Sequence, residues 1–179
     1  LADGVYTVHN LGSDYTATLM ITAKFNATLN KHVLVMVDGF YDNQFHLHTY
    51  PWDGTKYGDS HSWFKVVGND LTDKQGNSKP LYTHQYLPLN ADGTIPNGVY
   101  KAHNLNTWKP TSVVTARFDL RSNTPVLDVN DGTVLRSYDL ETKDPRWEGE
   151  GVWYRDFRYK IEVMGGLIMD EKSNVKRLE

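Results

Sequence analysis

His46 and His48 are separated by a single residue in the run from Phe45 to Tyr50. On an extended chain, residues two apart point to the same side, so both imidazoles can face one ion. His61, returning on the next strand, is the candidate third metal ligand. Nitrogen donors of this kind suit zinc, copper or nickel. The competing reading is a polar sheet face, because the second half of the chain carries Asp139 and Glu141 at the corresponding places.

The run from Arg146 to Tyr159 sets Trp147, Trp153, Tyr154, Phe157 and Tyr159 beside Arg146, Arg155 and Arg158. Large rings mixed with guanidinium groups supply contact area for planar ligands or protein surfaces. Tyr50, Trp52, Tyr57 and Trp63 form a comparable cluster in the first half. The candidate ligand-binding residues are therefore Tyr154, Tyr159, Trp153, Trp147 and Arg155, with Tyr50, Trp52 and Trp63. About half of these rings are expected to serve ordinary sheet packing.

Catalytic chemistry has little footing. Asp42, Asp53, Asp59 and Asp156 are scattered among turns and aromatics and define no acid and base pair. Ser60-His61-Ser62 lacks a nucleophile elbow. The chain has no phosphate-binding loop, no dinucleotide-binding glycine fingerprint and no calcium loop. Cysteine is absent, which removes thiolate nucleophiles, thiolate metal sites and disulfides. A non-catalytic protein is the expectation.

Strands must position these residues. Val33, Val35 and Val37 alternate with Leu34 and Met36, then meet Asp38-Gly39, a pair that favours a tight hairpin turn. Val126, Leu127 and Val129 lead into Asn130-Asp131-Gly132 in the same way, and a strand resumes through Val134, Tyr138 and Leu140. The stretch from Tyr15 to Phe25 reads as strand, with a short helical turn near Ala23 to Leu29 as an option. Pro110 permits an element to begin but not a helix to run through it.

The same phrases occur twice. Gly4-Val5-Tyr6 and His9-Asn10-Leu11 return as Gly98-Val99-Tyr100 and His103-Asn104-Leu105, about 94 positions later. Ile21 to Phe25 returns as Val114 to Phe118, which points to tandem units. His9 and His103 are expected to repeat a structural bond to a backbone group. The fold expected is all-β: two tandem antiparallel β-sandwich, immunoglobulin-like domains related by internal duplication, over 1–90 and 91–179. Asn90 to Asn97 is the expected hinge, and one larger sandwich built from both halves is the alternative.

The 179 residues carry 23% charged side chains and a net charge of -3, which argues against a disordered chain and a strongly basic nucleic-acid binder. No apolar run is long enough to form a transmembrane segment. Leu1 begins no signal peptide and Leu178-Glu179 reads as an appended scar, so a fragment of a larger polypeptide is expected.

The succession Gly4 to Val8, Leu19 to Phe25, Val33 to Gly39 and Phe45 to Leu47 resembles the first half of a NEAT (near-iron-transporter) module. Ser112 to Phe118 and Asn130 to Gly132 follow in the same order. The resemblance implies a Gram-positive cell-surface or cell-wall setting, extracellular, with capture of haem or a haem-carrying host protein. The family's haem-ligating tyrosines are three intervening residues apart, whereas Tyr154 and Tyr159 are five apart. The expected function is a secreted, non-catalytic binding module. An adhesin binding a host protein or glycan, or a structural spacer, is the alternative.

Overall fold

The computed structural model describes residues 1–12, 18–42, 44–105, 111–141 and 152–179, and their regular elements are all β-strands. Trp147, Arg146, Pro110 and the start of the stretch at Tyr15 lie outside the described residues. No helix among the described residues is long and apolar enough to cross a membrane. The chain divides into two compact units, Leu1–Gln85 and Tyr86–Glu179.

The first unit holds β1 (Gly4–His9), β2 (Thr18–Asn26), β3 (Lys31–Tyr41), β4 (Gln44–Pro51), β5 (Tyr57–Gly58), β6 (Trp63–Val67), β7 (Asp70–Asp73), β8 (Ser78–Pro80) and β9 (Tyr82–His84). They form a five-stranded sheet in the order β4-β3-β2-β1-β9 and a four-stranded sheet, β5 to β8 in order. A bridge between Trp52 and Tyr57 joins β4 to β5. The Leu81 N–H donates to the Asn69 carbonyl at 2.8 Å between β8 and β9. Alternation supplies the core: Tyr6 and Val8, Leu19 and Ile21, and Leu34 and Met36 gather around Phe64. Val33 to Val37 are all buried, as expected of an unbroken apolar strand.

The second unit holds β10 (Gly98–Asn104), β11 (Ser112–Asp119), β12 (Thr124–Asn130), β13 (Leu135–Leu140), β14 (Val152–Asp156), β15 (Tyr159–Met164), β16 (Leu167–Asp170) and β17 (Val175–Leu178). Each pairs antiparallel with the next, and β10 pairs with β17 to close an eight-stranded barrel. Ala102, Val114, Leu127, Tyr138, Tyr154, Ile161 and Ile168 fill it from alternate positions.

These findings correct the expected fold. The second unit is a closed barrel, and the first is two small sheets, so the chain is not a tandem repeat of immunoglobulin-like β-sandwich domains. The reason lies in the connections. Four residues at most join β11 to β12, β12 to β13, β14 to β15, β15 to β16 and β16 to β17. Such short hairpins pair each strand with its neighbour in sequence, and a right-twisted meander curls round until its first and last strands meet. A Greek-key sandwich needs longer crossings between sheets.

What recurs between the units is local geometry. The Tyr6 hydroxyl donates to the Ala2 carbonyl at 2.6 Å, and the Tyr100 hydroxyl donates to the Pro96 carbonyl at 2.6 Å. His9 and His103 each place Nδ1 on a threonine hydroxyl rather than on a backbone group: Thr18 at 2.8 Å and Thr111 at 3.2 Å. The turns Asp73–Asn77 and Asp170–Asn174 are closed alike, with the aspartate accepting both the backbone N–H and the Nδ2 of the asparagine.

Candidate functional site

The two ends of the barrel differ. The chain enters β10 from the stretch at Leu87 to Ile95, which necessarily lies at the end where β10 begins. Ile95 is buried in the core with Leu87 and Leu89 packed against it, and its N–H donates to the Tyr154 hydroxyl at 3.4 Å. A turn from Asn90 to Thr94 shapes this plug. At the opposite end, reached by Asn104 of β10 and the start of β11, the wall opens into a cavity of about 370 Å³.

The floor of that cavity is apolar, made by Ile161, Ile168, Val129 and the ring of Tyr138. Tyr138 is only 6% exposed. Its hydroxyl has no hydrogen-bond partner among the described residues and lines the cavity. Burial first, and then the nearby Glu171, Asp170 and Asp156, push its pKa above the usual tyrosine range, although Arg136 acts in the opposite direction. The phenol therefore stays protonated and can donate.

Above the floor the lining becomes charged. Arg136 is two residues from Tyr138 on β13, so both side chains point inward. The Arg136 guanidinium lies over the Tyr159 ring, 3.7 Å from its centroid, with Arg158 at 5.5 Å. Lys176 on β17 donates from Nζ to the Ser112 Oγ at 3.2 Å. The acids of the mouth accept backbone N–H groups. Asp131 Oδ1 accepts the Val134 and Thr133 N–H groups and the Thr133 hydroxyl, which hold its carboxyl down at about 2. Asp170 accepts the Lys172 and Asn174 N–H groups and the Asn174 Nδ2, and Glu171 accepts the Lys160 N–H at 3.4 Å.

The lip beside these groups is apolar. Phe157, at the tip of the β14–β15 hairpin, is 88% exposed and has a φ of 52°. An aromatic residue with a Cβ is disfavoured there by about 1 kcal/mol. Leu135, on the neighbouring hairpin, is also exposed.

The residues singled out from sequence are dispersed. Tyr154 is buried in the barrel core, where burial pushes its hydroxyl up to about 12. Tyr159 reaches the cavity wall, while Trp153 lies near Lys160, whose Nζ is 5.7 Å from its ring. Arg155 pairs with Glu141 at 3.1 Å. In the first unit, Tyr50 packs edge-on against Phe64 and Trp52 packs on Tyr57. Trp52 also borders a second hollow of about 390 Å³ with His32 and Lys65. Lys65 sits 5.1 Å from the Trp63 ring.

The three histidines do not converge. His46 stacks on Tyr41 with ring centroids 3.5 Å apart and meets the Tyr41 carbonyl at 3.0 Å. His48 approaches Asp38 at 3.6 Å. His61 is exposed in the turn capped by Asp59. Among the described residues there is no group of three side chains placed to hold a metal ion.

Arg136, Lys176, Ser112 and Tyr138 were not selected by sequence reasoning. The alternation Arg136-Ser137-Tyr138 carried the signal for the first, since a barrel-lining tyrosine fixes its second neighbour on the same wall. No protein-family model, curated protein or solved structure matches the chain.

Proposed function

We propose that this chain is a non-catalytic binding module whose barrel serves as a cup for a small ligand. The asymmetry of the barrel ends carries this reading: Ile95 and its neighbours fill one, and the other opens onto an apolar floor with a polar rim. A cavity of about 370 Å³ lies within the range of small-ligand pockets. The mouth's acids are occupied by backbone donors, which favours binding over acid–base catalysis. The exposed Phe157 at the lip supports a surface that meets a ligand or partner, because its backbone conformation has a cost that glycine would avoid.

The resemblance to near-iron-transporter modules supports an extracellular, cell-surface setting, with haem, a haem-carrying host protein or a glycan as candidate partners. Among these, the cup favours a compact molecule held within the barrel. Iron ligation by Tyr154 draws no support from its position, since its protonated hydroxyl faces the Ile95 N–H inside the core.

The test is fluorescence titration with N-phenyl-1-naphthylamine, a neutral apolar fluorophore, with stoichiometry read by native mass spectrometry. Binding should saturate at one per chain. Val129→Phe, which fills the cavity from β12, should weaken it by about tenfold or more, and Arg121→Gln in the exposed turn at the plugged end should not. A parent protein without saturable binding, or a Val129→Phe variant that binds as the parent does, would overturn the cup and leave a structural spacer ahead.

A further inference from the structure

We infer that the cup takes a small amphipathic anion, with its oxyanion held between Arg136 and Lys176 and its apolar body on the Tyr138 and Ile161 floor. This inference rests on the cup proposed above and specifies the ligand's charge.

The geometry comes from strand order. β13 and β17 are four places apart in a ring of eight, so inward side chains from them face each other across the lumen. Arg136 and Lys176 line the cavity from those opposite walls. Their inward direction follows from Tyr138 and Leu178, each two residues further along the strand and each in the core.

The direct contacts of both cations are neutral, although Lys176 also feels the charge of Asp131. Arg136 has the Tyr159 ring and no hydrogen bond or ion pair among the described residues. Lys176 has the Ser112 hydroxyl and no carboxylate within ion-pair distance among the described residues. A partly buried cation ordinarily gains an anionic partner. Here three acids are close by, yet Asp131 and Asp170 accept backbone N–H groups of their own turns and Glu171 accepts the Lys160 N–H of β15. Two cations thus remain available to a ligand, each capable of a charge-assisted hydrogen bond. The Arg136 side chain is also held in place by its ring, which lowers the entropy cost of meeting an oxyanion.

The ligand's apolar body follows from the floor. Val129, Ile161 and Ile168 offer no hydrogen bonds, while the Tyr138 hydroxyl offers one. A fully hydrophilic ion such as free phosphate would leave this floor uncovered. An organic carboxylate, phosphate or sulfonate would cover it and still reach both cations.

The experiment compares two fluorophores that share an aromatic body: 8-anilino-1-naphthalenesulfonate, which is anionic, and N-phenyl-1-naphthylamine, which is not. The parent should favour the sulfonate, increasingly so at low salt. Arg136→Met and Lys176→Met should each weaken the sulfonate by about tenfold and the neutral compound by less than about twofold. Retained binding of the neutral compound also shows that each variant is folded with its cup intact. Decanoate and hexyl phosphate compete in parallel, and the stronger competitor identifies the preferred head group. Equal binding of the two fluorophores with no effect of either variant, or displacement by neither competitor, overturns the anion while the cup stands. Failure of both fluorophores to bind removes the cup and the anion together.

Discussion

Arg136 rests on Tyr159, with the guanidinium carbon 3.7 Å from the centre of the ring. The two residues belong to β13 and β15, which are not neighbours in the barrel sheet, so their contact spans the inner surface over β14. A cation over a tyrosine face contributes about 0.5–1 kcal/mol where water still has access.

That contact can be measured without any ligand. A double-mutant cycle of Arg136→Met and Tyr159→Leu, followed by urea denaturation, should give a coupling of about 0.5–1 kcal/mol. Coupling indistinguishable from zero would mean that the ring does not hold the guanidinium, and the preorganisation ascribed to Arg136 would be lost.

Gly58 makes a demanding test of the first unit. Its φ is +117°, a region that side chains with a Cβ rarely adopt, and a Cβ there would run into the Ser62 carbonyl and come within 2.9 Å of the Trp63 Cα. Backbone atoms cannot swing aside as a side chain can. Gly58→Ala should therefore destabilise the unit by about 1–3 kcal/mol in chemical denaturation. By contrast, Gly76 has a φ of 88° but nothing within 4 Å of its Cβ position, so Gly76→Ala should cost less. Equal costs would show that φ alone, without the Ser62 contact, decides the outcome.

His48 should make the first unit's stability depend on pH. Its pKa is raised, chiefly by hydrogen bonding to Asp38 and also by that residue's charge, with burial acting the other way. A raised folded-state value means that protonation favours the folded state. The contribution is present below the ordinary histidine value of about 6.5, while Asp38 remains ionised, and is lost as pH rises through the folded value. The melting temperature of the parent should exceed that of His48→Gln at about pH 5.5, and the difference should shrink by about pH 8.5. A difference that grows with pH would reverse the assignment.

Strand content was legible because alternation and turn residues are local signals. Asn130-Asp131-Gly132 does end a strand, and the next begins at Leu135. Asp38-Gly39 misled for a physical reason: β3 passes through the pair with a register shift between Val37 and Phe40 and turns only after Tyr41. A bulge and a hairpin use similar residues, and only the partner strand tells them apart.

Barrel closure was hidden for a different reason. Sandwich and barrel strands share a two-residue period, and the choice between them depends on accumulated twist and stagger across many strands. The candidate site was obscured in the same way. Tyr154 and Tyr159 are near in sequence, yet one is enclosed in the core and the other reaches the cavity wall. Arg136 and Lys176 are far apart in sequence and line one cavity only because the sheet closes into a ring of eight strands.

The β10–β17 seam has a kinetic consequence. The short hairpins from β11 to β13 and from β14 to β17 can each zip from their own turns, but pairing Ala102 with Leu178 must draw together residues from the two extremes of the meander. That step bears the largest loop-closure cost and belongs late in folding. Until it occurs, the nascent sheet has two bare edges able to recruit strands from other molecules, so rapid sealing of this seam protects the refolding chain from aggregation.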